Sequence, residues 1–362
     1  MKRLIAMLAA SIVIVLLVAQ MGLSRGTRTD GLYYKAAGIH PDAQLVQIDG
    51  QTITAEEYLY WLAYVCEYLN TTMNGQLDLN APLNEETTFG EYAKLDAANT
   101  VTLYAVTRAW AEENGIALTE EDEAALETQR QQYISYYGSE EACLQQLELV
   151  GISAEMLDHI EETPYLYAQL HDAFVTEGGV LHPDAESLAQ FGLEQDYVTA
   201  RLLFFATTGM DEQGIADVRA KAESFAAELQ QAEDRDATYE SLAEQLDLDT
   251  NPAGLTFSPA KSDPSVCSAV AALEEGQVSD VIEGANGFYV ALRMPLDHTA
   301  LLEDMFIAQL QDRQANAKVK YHQRLYDSID AAEFYRSLTE ERLSLLQNAT
   351  AQIPNLDSPS DN

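Results

Sequence analysis

The chain has 362 residues, with 20 Lys and Arg against 59 Asp and Glu and a formal net charge of −39. So strong a polyanion repels phosphate backbones, which excludes nucleic acid as a partner, and it disfavours docking on anionic lipid surfaces. Hydrophobic residues make up 47% of the chain, enough to build cores for two or three domains.

Lys2 and Arg3 precede an apolar run from Leu4 to Leu23, interrupted only by Ser11, Gln20 and Gly22. That is about the 20 residues a membrane-spanning helix needs. The expectation is a signal-anchor over 1–27 that tethers the protein to the cell membrane, with the body extracytoplasmic. A cleaved signal peptide and a secreted body remain open, with Leu17-Val18-Ala19 as a fair cleavage site. No cysteine closes the run, so a lipoprotein anchor is excluded.

Leu45 to Ile53 alternates around Asp49-Gly50, which predicts a hairpin. Thr54, with Glu57 three residues on, reads as a capping box. The helix that follows carries Tyr58, Trp61, Tyr64 and Tyr68 at helical spacing. Further helices are predicted from Glu86 or Thr88 to Asn114, from Thr119 to Tyr137, from Ser139 to Val150 and from Ser153 to Val175. Gly115, Gly138, Gly151 and the pair Gly178-Gly179 mark their ends.

From Tyr197 the texture changes. Val198 to Phe205 predicts a buried strand, followed by helices over 211–232 and 239–246. A loop or short strand is expected at 254–257, a third helix over 266–273, and a final strand pair from Val278 to Met294. After Pro295 the pattern returns to helix, from Ala300 to Gln347 with a break near 328–332. The tail 348–362 is rich in Ser, Asp, Asn and Pro and is expected to be disordered.

The run Val278-Ser279-Asp280 followed by Asn286-Gly287-Phe288-Tyr289-Val290 resembles the C-terminal signature of parvulin-type prolyl isomerase domains. Upstream, Ile48-Asp49-Gly50-Gln51-Thr52-Ile53-Thr54-Ala55-Glu56-Glu57-Tyr58, Leu118-Thr119-Glu120-Glu121-Asp122 and Leu144-Gln145-Gln146-Leu147 resemble, in that order, the N-terminal domain of exported foldases of the SurA/PrsA type. The resemblance implies an α+β protein: a mainly helical SurA-N-like chaperone domain (28–194), an inserted parvulin-like α/β domain (195–297) and a C-terminal helix returning to the chaperone domain (298–347), all preceded by a single transmembrane helix.

The same resemblance locates the site. The two histidines of the parvulin pattern fall on Leu202 and Tyr289, its acidic position on Asp247 or Asp249, and its proline pocket on Phe257, Val266 and Phe288. No histidine lies between His182 and His298, so no small shift of alignment restores the pair. The expectation is a catalytically degenerate isomerase domain in a chaperone whose partners are unfolded exported polypeptides, with Tyr64 and Tyr68 also offered as client contacts. An active prolyl isomerase and a membrane scaffold remain as alternatives. No cofactor is implied. The three cysteines, Cys66, Cys143 and Cys267, are too far apart for a zinc site, and no phosphate loop or nucleophile elbow is present.

Overall fold

The computed structural model describes the backbone of residues 31–351 and the side chains of 31–345. The anchor expected at 1–27 and most of the tail lie outside the described residues. The chain divides into two compact units, one formed by residues up to Ala173 and from Leu310 onward, the other by Phe174 to Gln309. Among the described residues no helix is long and apolar enough to cross a membrane.

The first unit opens with α1 (Leu32–Ala37), β1 (Gln44–Ile48) and β2 (Gln51–Thr54). Asp49 and Gly50 both have positive φ, 48° and 89°, the backbone of the tight hairpin turn that Asp-Gly favours. Four longer helices follow: α2 (Ala55–Thr72), α3 (Phe89–Glu113), α4 (Glu120–Tyr137) and α5 (Glu140–Val150). α6 (Ala154–Val175) then leads into the second unit. Thr88 with Glu91, and Thr119 with Asp122, form reciprocal capping boxes at the starts of α3 and α4. Gly31 and Gly151 meet backbone to backbone: a Cβ on Gly31 would lie 2.4 Å from the Gly151 Cα.

The capping box expected at Thr54 does not form. Thr54 has extended N-cap geometry but its side chain caps nothing, and its buried hydroxyl has no partner among the described residues. Glu57 turns instead to Arg108 of α3, at 3.4 Å. Its neighbour Glu56 accepts the backbone N–H of Ser153. Both carboxylates sit in the first turn of α2, where the helix dipole favours negative charge.

The C-terminal segment is more broken than a single helix with one interruption. α11 (Leu302–Asn316) gives way to β7 (Val319–Tyr321), then α12 (Gln323–Asp327) and α13 (Ala331–Ala351). β7 pairs antiparallel with β1, Ile48 facing Val319 and Val46 facing Tyr321, to make a sheet ordered β2-β1-β7. Val319-Lys320-Tyr321 alternates as a strand does, and the free edge of β1 supplies the partner. The break near 328–332 is present as expected, whereas the start of the expected tail, 348–351, continues α13. Phe334 and Leu338 of α13 are fully buried in the core with Tyr33, Leu59 and Trp61.

Glu161 of α6 is a buried carboxyl, 7% exposed, accepting from the Gln129 side-chain amide at 2.8 Å. Burial pushes its pKa up from 4.5 to about 6, against the opposing effect of its bonds to Tyr133 and Gln129. A raised carboxyl binds its proton more tightly in the folded state, so this group lowers stability as pH rises from about 4.5 to about 6 and keeps that penalty above. A shift of roughly 1.5 pH units corresponds to about 2 kcal/mol. Glu161→Gln is therefore expected to gain up to about 2 kcal/mol over wild type at pH 7.5 and nothing at pH 4. Urea unfolding at the two pH values measures this; an equal effect at both contradicts it.

The second unit holds the other sheet. After α7 (Ala185–Glu194) come β3 (Val198–Ala206), α8 (Glu212–Gln231), α9 (Arg235–Glu244), β4 (Leu255–Phe257), α10 (Pro264–Ala271), β5 (Ile282–Gly284) and β6 (Gly287–Met294). The strand order is β4-β3-β6-β5, antiparallel throughout. This is the β-α-α-β-α-β-β sequence expected for 197–296. Leu203, Phe205, Phe288, Val290 and Leu292 pack on α8 and α9 through Phe225, Leu229 and Leu242. Val198, Ala200 and Ala291 pack on α10 through Val266, Cys267 and Val270.

Candidate functional site

β3 and β6 pair with Leu202 opposite Ala291 and Phe204 opposite Tyr289. Facing residues of an antiparallel pair project to the same side, and neighbours along a strand to opposite sides. Leu202, Phe204, Tyr289 and Ala291 therefore share one face, and the Phe204 and Tyr289 rings lie 4.8 Å apart at 32°. On this face an open cleft of about 820 Å³ is walled by Leu255, Thr256 and Phe257 on one side and by the 260–266 segment on another, with Leu202 and Tyr289 on its floor.

Four of the expected site residues meet here: Leu202, Phe257, Val266 and Tyr289. Two others do not. Phe288 is buried on the opposite face of the sheet, beneath α8, with the Arg219 guanidinium 4.8 Å from its ring. One step along a strand reverses the side chain, so Phe288 and Tyr289 cannot line the same cleft. Asp249 is exposed in the loop after α9 and takes no part in the cleft. Of the two tyrosines in the first unit, Tyr64 is buried with its ring 5.6 Å from Trp61, which corrects its reading as a client contact. Tyr68, 58% exposed, remains available at the surface.

The sequence reading missed Lys261, Asp263 and Asn286, which also line the cleft. Asp263 was visible in principle: Asp followed by Pro is a helix-start signal, and here Asp263 caps α10 with Pro264 in its first turn. The Asp263 carboxylate accepts from the Ser265 hydroxyl at 2.7 Å and from the backbone N–H of Ala285 at 2.7 Å. These bonds hold its pKa below the usual carboxylate range. Lys261 pairs with Asp304.

Gly284 explains how Tyr289 and Asp263 come together. A Cβ at Gly284 would lie 2.7 Å from the Tyr289 ring and 2.9 Å from an Asp263 carboxylate oxygen, so only glycine leaves room for both. Burial first, and the Asp263 charge second, push the Tyr289 hydroxyl above its usual pKa. Tyr289 is thus a neutral donor at physiological pH, beside a carboxylate that stays ionised. The cleft offers an apolar floor, one phenol donor and a polar rim. None of its lining residues is a histidine, so no group with an unperturbed pKa near neutrality faces the space. Among the described residues no cluster of His, Cys, Asp and Glu is arranged to hold a metal ion.

The arginine beside Leu202 has a structural task. Arg201 is buried on the helix-covered face, its guanidinium 4.1 Å from the Tyr239 ring, paired with Asp236 at 3.1 Å and with Glu240. It holds α9 to β3.

No curated protein sequence matches the chain. Among solved structures the chain is similar to the foldase protein PrsA from Streptococcus pneumoniae, at 18% identity over 84% of this chain and 98% of that one, with a TM-score of 0.24. It is also similar to the peptidylprolyl isomerase PrsA from Bacillus cereus, at 13% identity over 89% and 95%, TM-score 0.26. A SurA-like chaperone of Campylobacter jejuni matches at 12% identity over 77% and 98%, TM-score 0.19. The profile of PPIC-type PPIase domains matches residues 205–294, the stretch that contains Phe257, Val266 and Tyr289 and begins just after Leu202. That segment is similar to the PPIC-type, or parvulin, peptidyl-prolyl isomerase domains.

Proposed function

We propose that this protein is an extracytoplasmic, membrane-anchored foldase that holds unfolded exported polypeptides, and that its parvulin domain binds proline-containing segments without accelerating their isomerisation. The observation that carries the reading is the cleft itself: it keeps an apolar lining of Leu202, Phe257 and Val266, while Leu202 and Tyr289 stand where the family pattern has histidines. Prolyl isomerisation breaks no covalent bond. A catalyst must bind the twisted amide more tightly than the planar forms, against a barrier of about 18–20 kcal/mol. Leu202 offers no hydrogen bond to a twisting amide. Without the histidine pair, the lining holds no matched groups set to favour the twisted amide over the planar forms, and uniform binding gives no rate. The run Leu4 to Leu23 and the order of motifs through 48–157 support the anchored chaperone part of the reading.

The test pairs two measurements on the full chain. With a proline tetrapeptide the relaxation is expected to match the uncatalysed rate, with time constants of tens to hundreds of seconds. In the same preparation, aggregation of a chemically unfolded protein is expected to be suppressed. Clear catalysis that is lost in Tyr289→Phe would establish an active isomerase instead. Absence of any effect on aggregation, with one stable partner recovered, would point to a scaffold.

A further inference from the structure

A second cavity, of about 160 Å³, lies within the first unit among α4, α5 and α6. Its walls are apolar where Leu144, Leu147 and Leu157 line it, and Leu144 is exposed at 42% on the outer side. Its polar lining comes from Arg130, Tyr133, Glu140, Cys143, Asp158 and Glu161, three carboxylates with one arginine. Glu161 is more than nine-tenths buried. Its named donors are both neutral: the Gln129 amide at 2.8 Å, which also reaches the Tyr133 hydroxyl at 2.9 Å, and Tyr133 itself. The cation on the wall, Arg130, is engaged by Asp158.

Arg130 serves Asp158 as well as acting on Glu161, so Glu140, Asp158 and Glu161 line the cavity with one arginine among them, and a ligand that supplies a further cation offsets the cost of burying Glu161. We propose that this cavity takes a lysine side chain of a client polypeptide, its ammonium against Glu161 and its methylene stem along the leucines. The inference rests on the chaperone reading above and names what such a chaperone selects. Size agrees: a cavity of about 160 Å³ is on the scale of one side chain. Chemistry agrees too. Gln129 and Tyr133 already bond the Glu161 carboxylate, so the two parallel acceptors that a guanidinium fork prefers are not both free, and a point donor such as an ammonium fits better. The field of a chain with net charge −39 draws basic segments towards it.

The experiment is calorimetric titration of the full chain at pH 7.5 with an unstructured peptide bearing one lysine, and with the same peptide bearing norleucine. Wild type is expected to bind the lysine peptide about tenfold tighter. The preference is expected to fall below twofold in Glu161→Gln, which keeps an acceptor for Gln129 and relieves the buried charge, and also in Ala154→Phe, which fills the mouth. Equal affinity for the two peptides, or an unchanged preference in Glu161→Gln, overturns the proposal. Aggregation assays with a fully lysine-acetylated client separate the two readings. Suppression that persists while the peptides bind equally leaves the chaperone standing and removes the lysine site. No suppression and no peptide binding remove both.

Discussion

Arg108→Met is expected to cost about 3–5 kcal/mol of folding stability. Arg108 reaches from α3 to Glu57 at 3.4 Å and to the Thr163 hydroxyl at 3.5 Å, so it ties α2 and α6 to its own helix. The Glu57 side chain is 5% exposed. Burial already pushes its carboxyl above the usual range, against the attraction of Arg108 and of His159. Without the guanidinium the carboxylate is left in a dry site, and leaving one partner of a buried pair costs far more than the pair contributes. The sign with pH follows. Glu57 is a raised carboxyl, so its penalty is absent at acid pH, grows as the unfolded chain ionises, and is complete above the folded pKa. The loss in Arg108→Met is therefore larger at pH 7.5 than at pH 4.5. The double variant Glu57→Leu with Arg108→Met is expected to recover most of it, because two apolar side chains replace the pair. Urea unfolding of the single and double variants decides. A loss below about 1 kcal/mol in the single variant at pH 7.5 contradicts the account.

Trp61→Ala is expected to cost a similar 3–5 kcal/mol, for a different reason. Trp61 is fully buried, packed edge-on against Tyr60 at 5.0 Å and at a tilt of 58° against Tyr104 at 4.7 Å. Truncation leaves a cavity that helices held on several sides cannot close. Trp61→Phe separates packing from polarity. The indole N–H has no acceptor among the described residues, so phenylalanine loses part of the ring but also removes an unsatisfied donor. Its cost is expected to be less than half that of alanine. Thermal unfolding of both variants tests this; equal losses would mean that the indole edge, not the volume, is what matters.

What was legible in the sequence was local. Asp49-Gly50 announces its turn, and Thr88 and Thr119 announce their helices, because the stabilising bonds lie within four residues. The largely apolar run Val198 to Phe205 gives the buried strand. The failures have a common cause: the deciding partner lies far away in the chain. Thr54 and Glu57 satisfy the local capping pattern, but Arg108, 51 positions on, wins the carboxylate. Three residues, Val319 to Tyr321, are too few to declare a strand without β1 beside them. Phe288 was a different error. The period of two already present in the sequence places it opposite Tyr289, and treating the motif as a contiguous pocket ignored that. In the site, Leu202, Phe257, Val266 and Tyr289 were located through resemblance, whereas Asp263, legible as a helix cap, shows its place in the cleft only once Ala285, just past β5, folds back onto it.

The pairing of β7 with β1 carries a consequence for how the molecule comes into being. Val319 sits beside Ile48 across more than half the length of the polypeptide, and Phe334 and Leu338 fill the same core as Tyr33. A chain that emerges amino end first exposes β1 and the apolar faces of α1 and α2 long before their cover exists. The segment from Phe174 to Gln309 is continuous, so every residue it needs is present before β7 appears, and it is free to fold ahead of the unit that encloses it in sequence. Closing that long loop is the late, slow step. Until α13 arrives, the nascent protein is itself an unfinished polypeptide with bare apolar surface, in need of the protection that its complete form is proposed to give to others.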